Sequence, residues 1–170
     1  MSIKEADLLK QWICGSIGEG KITFKLLWQG TRDGFTASKF HSLCNGKGPT
    51  LTIGVSTYPK IFGGFTSISW DNWTGSCITD TTAFIFSLTH RTKCLNEKKG
   101  GVVYPHPGYG PTFGNGQDIT FRDNCNINTD SYSNGNYNYE IPQGADNNTF
   151  FAGSYNFTAK EVEVYSVIKQ

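Results

Sequence analysis

Apolar positions at Leu8, Leu9, Trp12 and Ile13 recur at helical spacing behind Ser2 and Glu5, which stand three residues apart as a capping box does, and the run ends at Gly15. The pattern predicts an amphipathic helix and its connector over residues 1–20. "KITFKLLWQ" at 21–29 reads as a strand. In the following "RDGFTASKFHSLCNGKG", Phe40, Leu43 and Cys44 share one helical face before Asn45 and Gly46 stop it, which predicts a second helix over about 36–44. Beyond Pro49 the period changes to two. Leu51, Ile53 and Val55 alternate with Thr and Gly, and "KIFGGFTSISW" and "TAFIFSL" continue in that manner. "DITFR" at 118–122 and "KEVEVYSVI" near the C-terminus are further strands, and 123–149 reads as ordered loop with little regular structure. Strands outnumber helices and no crossover helices separate them, so the expected architecture is mainly β. It is a two-layer antiparallel β-sandwich with a few peripheral α-helices, forming one domain over 1–170 with the sandwich from 21 to 170.

Composition narrows this picture without changing it. A chain of 170 residues, 37% hydrophobic and 14% aromatic, suffices for one sizeable core, and 12 Phe, 8 Tyr and 4 Trp against a single Met suit rigid sheets. A net charge of +1 gives no reason to expect nucleic acid. The charge is uneven: residues 1–116 hold 12 basic and 7 acidic side chains and residues 117–170 hold 3 and 7, so an acidic end is available for a basic partner. Charged residues interrupt every apolar run after Met1, so neither a signal-peptide core nor a membrane span is expected. Five cysteines, an odd number at wide spacing, imply reduced thiols and a cytoplasmic location.

The order of "LLWQGTRDGF", "GPTLTIG", "IFGGFTSISW", "FIFSL", "YGPTFGNGQDI", "DNCN" and "AGSYNFTAKEVEVYSV" resembles the TLDc domain family along essentially the whole chain, in a single-domain form. The resemblance implies a β-sandwich with peripheral helices, a link to oxidative-stress resistance and, as in several relatives, binding to the vacuolar proton-pumping ATPase. No reaction is securely tied to the family, and no cofactor is implied. The family stretches contain Gly63, Gly64, Gly110, Pro111, Gly114, Gly116 and Cys125, which read as structural. The glycines permit left-handed turns and close packing, while Asp118 and Asn124 tie down loop amides.

Each catalytic or ligand motif fails at a residue its chemistry requires. "GSIGEGKI" has the glycines and lysine of a phosphate-binding loop, but Ile22 replaces the magnesium-binding hydroxyl and the context runs from helix into strand. "DNCNINTD" supplies oxygens at Asn124, Asn126, Asn128 and Asp130, yet lacks the turn glycine and closing glutamate of a calcium loop. No Cys-x-x-Cys zinc spacing and no Gly-x-Ser-x-Gly elbow occurs. Two His/Cys pairs invite redox chemistry, His41 with Cys44 and His90 with Cys94. Cys94, amid Arg91, Lys93, Lys98 and Lys99, is the best reactive-thiol candidate, and it carries the alternative reading of a thiol-dependent antioxidant or redox sensor. Glu161 and Glu163 leave the same face of the last strand, as solvated carboxylates of an edge strand do. Together with Asp118 they are the expected partner-binding residues of a non-enzymatic module.

Overall fold

A computed structural model describes residues 2–95, 101–115 and 117–170. Gly116, Lys98 and Lys99, singled out above, lie outside the described residues. Ser2 caps the first helix, α1 (Ile3–Ile17): its Oγ accepts from Glu5 N at 3.3 Å while its own N–H donates to Glu5 Oε2 at 2.6 Å. Strand β1 (Ile22–Gln29) runs into a single helical turn, α2 (Gly30–Asp33), and then α3 (Ala37–Cys44), which Thr36 caps by accepting from Lys39 N. The remaining elements are strands. They are β2 (Thr50–Ser56), β3 (Ile61–Thr66), β4 (Ile78–Asp80), β5 (Phe84–Ser87), β6 (Thr92–Cys94), β7 (Gly101–Val103), β8 (Thr112–Phe113), β9 (Ile119–Thr120), β10 (Ser131–Ser133), β11 (Asn156–Phe157) and β12 (Ala159–Lys169).

These strands form two six-stranded antiparallel sheets among the described residues, ordered β1-β12-β2-β3-β5-β6 and β11-β10-β9-β8-β7-β4. The fold is therefore a two-layer β-sandwich. Its interior is aromatic: Trp28, Phe62, Phe113, Phe121, Phe157, Val162 and Val164 are all buried between the sheets, and Phe62 stacks on Phe121 at 5.7 Å. Two glycines of the first sheet set how closely the layers approach. A Cβ on Gly54 would lie 2.3 Å from the Phe121 ring, and one on Gly64 would lie 2.7 Å from Phe113.

The outer face of the first sheet carries a second core. Leu9 and Ile13 of α1 are fully buried against Leu51, Ile53, Phe65, Phe84 and Phe86. A lysine fixes the helix in place: Lys93 Nζ, 4.4 Å above the Phe84 ring, donates to Trp12 O and Ser16 Oγ, both at 2.9 Å. Burial holds its pKa below the ordinary lysine value.

Two expectations change here. The acidic last strand is not an edge, because β12 pairs with β1 on one side and β2 on the other. The stretch around Cys94 is not wholly loop, since Thr92–Cys94 is a strand paired to β5 in the register Ile85↔Cys94.

Candidate partner-binding site

Beyond a register shift between Ala159 and Glu161, β12 alternates, so Val162 and Val164 enter the sandwich while Glu161, Glu163 and Tyr165 leave from the outer face. The end of β1 and the turn α2 lie against them. Glu161 Oε1 accepts from Thr31 N at 3.1 Å and from Val162 N at 3.0 Å, and its Oε2 accepts from Thr31 Oγ1 and from Gln29 Nε2. Glu163 accepts from Tyr165 OH at 2.7 Å and, at 3.4 Å, from the same Gln29 amide. Burial, and then the bond to Glu163, push the Tyr165 phenol above its ordinary range. Asp33 completes the turn. It accepts from Gln29 N at 2.9 Å and takes a two-pronged contact from Arg32 at 2.9 and 2.7 Å.

Both glutamates are thus half-buried and oriented by neutral donors, with no ion pair to either among the described residues. A carboxylate pair held in place without a neutralising cation keeps its negative field, which suits a basic partner. The participation of Gln29, Thr31 and Tyr165 was not evident in the sequence. Tyr165 continues the same alternation two residues on, and that was the available signal; Thr31 comes from 130 residues away and Gln29 from 132, and they left none.

Asp118 does not belong to this surface. It is completely buried between β8 and β9, where it accepts from the N–H groups of Tyr137, Asn138 and Tyr139 at 3.1, 2.9 and 3.2 Å. It ties a loop down, as the structural reading held, and cannot meet a partner. Burial pushes its pKa up to about 6 against the opposing pull of those amides. Gly114, with φ of 95°, makes room for it: a Cβ there would lie 2.0 Å from Asp118 Oδ2. The other family positions among the described residues are likewise internal. Gly110 N donates to Phe121 O at 2.8 Å, Pro111 O accepts from Phe121 N, and Gly63 faces Thr52 O so closely that a Cβ would lie 1.9 Å away. Cys125 is fully buried in the core between the sheets.

The thiol candidate is corrected as well. Cys94 is buried, and burial followed by the charge of Asp118 pushes its pKa up to about 12, the opposite of an activated thiolate. Cys44 and Cys125 are pushed equally high, burial leading in both. Neither histidine activates a cysteine. The His41 ring nitrogens engage Asn45 Oδ1 at 2.8 Å and the carbonyls of His106 and Tyr109, while His90 stacks on Phe150 at 5.0 Å. In the Asn-rich loop, Asn128 bonds Asp123 O and the amide of Asp130, so its polar groups serve the turn. Among the described residues no group of three or more His, Cys, Asp or Glu side chains could hold a metal ion, and no helix is long and apolar enough to cross a membrane.

A mainly antiparallel sandwich, flanked by short helices and presenting an ordered carboxylate face, defines a small β-sandwich module. The family described as TLDc domain matches residues 2–168, and the chain belongs to that family. No curated protein matches it.

Proposed function

We propose that this chain is a non-enzymatic, cytoplasmic protein-binding module of oxidative-stress resistance that docks on a subunit of the vacuolar proton-pumping ATPase. Family membership supports the class. The observation that carries the binding mode is the Glu161/Glu163 pair, held by Gln29, Thr31 and Tyr165 and left without a countercharge among the described residues. The partner face is then basic, and long-range attraction accelerates encounter more than it deepens final affinity.

The test is the association kinetics of the full chain on purified vacuolar ATPase at several ionic strengths. Glu161→Gln with Glu163→Gln retains a carbonyl acceptor at each position and removes the charge. We expect it to slow association several-fold and flatten the salt dependence, and reversal of both to Lys to do so more strongly. Absence of binding by the unaltered chain sinks the partner. Binding with kinetics unchanged by either double substitution sinks the surface assignment.

A further inference from the structure

The outer face of the second sheet, on the far side of the sandwich from Glu161, carries a band of rings in two groups. Trp73 meets Tyr104 edge-on at 5.0 Å and His106 at 4.7 Å; Tyr104 and His106 are stacked at 5.5 Å, and His106 and Tyr109 approach to 4.7 Å. The Arg122 guanidinium lies 3.9 Å above Tyr109, and Tyr132 and Tyr155 stack at 5.6 Å beyond it. The contributing segments adjoin β4, β7, β8, β9, β10 and β11, so the band crosses the whole sheet, roughly 24 Å at about 4.8 Å per strand. Its position follows from alternation: Val103, Phe113, Ile119 and Phe121 point into the sandwich, leaving Tyr104 and Arg122, one residue on, to point out.

The chemistry of the band is that of a donor array. Arg122 makes no side-chain hydrogen bond and no ion pair among the described residues; only its backbone N–H is engaged, by Ser131 Oγ at 3.0 Å. The hydroxyls of Tyr104, Tyr109 and Tyr155 also have no partner among the described residues. Stacking takes one face each of Tyr104, His106, Tyr132 and Tyr155, and Arg122 covers one face of Tyr109, so the band offers ring edges, the positive part of the aromatic quadrupole, together with phenolic and guanidinium donors. Sugars and bases need open ring faces, whereas carboxylate oxygens seek edges and donors. Tyr, Trp and Arg are also the residues enriched where protein interfaces bind most strongly.

We infer that this band is a second docking surface, for an extended acidic segment of a partner protein, with Arg122 receiving a carboxylate and Trp73, Tyr104, Tyr109 and Tyr132 lining its path. It is separate from the surface of the proposed function and has the opposite charge preference. The module is therefore two-sided, with a carboxylate face on one sheet and a donor face on the other.

The probe is a fluorescent peptide of about eight residues alternating Glu and Pro, whose extended form covers roughly 25 Å, against the same peptide with Gln for Glu. Binding to the full chain is measured by anisotropy, and the indole and backbone resonances of the band are followed by NMR. We expect the Glu peptide to bind at least tenfold more tightly than the Gln peptide, with shifts at Trp73, Tyr104 and Tyr132. Arg122→Gln should weaken it at least tenfold, whereas Lys25→Gln, an equal loss of charge on the other sheet, should not. Thermal melts confirm that both variants are folded, and Tyr109→Phe, which keeps the ring under Arg122, should retain most of the binding. No binding of the Glu peptide, equal binding of the Gln peptide, insensitivity to Arg122→Gln, shifts confined to the Glu161 face, or preference for an oligonucleotide or oligosaccharide would each overturn the inference.

Discussion

Two buried carboxylates of this chain titrate in opposite directions. Asp80 is pushed up by burial, but the hydroxyls of Thr82 and Thr66 and the amides of Thr82 and Ser67 together hold it below its ordinary value. Asp118 has amides alone, and burial wins. Its native pKa of about 6 exceeds the ordinary 3.8, so between those values the folded state binds more protons than the unfolded one. The associated stability is complete below 3.8 and is lost as pH rises through about 6. Urea titrations at successive pH values should show Asp118→Asn less pH-dependent than the unaltered chain across this window, by up to about 3 kcal/mol. Thiols follow the same logic of burial. Native protein treated with a thiol probe near neutral pH should label at the half-exposed Cys14 and Cys77, while Cys44, Cys94 and Cys125 react only on unfolding, as peptide mapping would reveal. Thr52 carries a buried hydroxyl without a hydrogen-bond partner, so Thr52→Val should raise stability by about 1 kcal/mol in the same titrations. The error over Cys94 arose at this scale, because its lysine neighbours in sequence say nothing about the depth of the atom between them.

At the scale of elements, legibility followed length. α1 was readable from its capping box and apolar face, although it runs past the expected stop at Gly15 to Ile17; α3 was readable from its apolar face and the stop at Asn45, and β2 and β12 because seven and eleven residues give alternation room to repeat. The strands of the second sheet have two or three residues each, too few for a period, so most of that sheet, and with it the ring band, was hidden in what read as loop. The site was half legible for a related reason. Alternation put Glu161 and Glu163 on one face, but only strand order reveals that β1 and α2 abut them. Sheet separation makes a prediction of its own. Gly64→Ala drives a methyl group into Phe113 and should cost about 1–3 kcal/mol, and Phe113→Leu should relieve part of that in a double-mutant cycle. Equal costs with and without Phe113 would show that the sheets are not held at this contact.

For the whole molecule, the position of β12 has a consequence in time. The strand that pairs with β1 and β2 together is the last strand of the domain, and Lys21 and Gln170 exchange backbone hydrogen bonds at 2.9 and 3.1 Å. Until β12 emerges during synthesis, β1 has no partner strand among the described residues, β2 is paired on one side only, and the interior lacks Val162 and Val164. Local contacts can form α1 and the β2–β3 hairpin early, but closure of the first sheet waits for the contact of longest sequence separation. The nascent chain is therefore exposed to wrong pairing until β12 has been made, and a free peptide of the β12 sequence added to a chain stalled on the ribosome before β12 should compete for that strand's place.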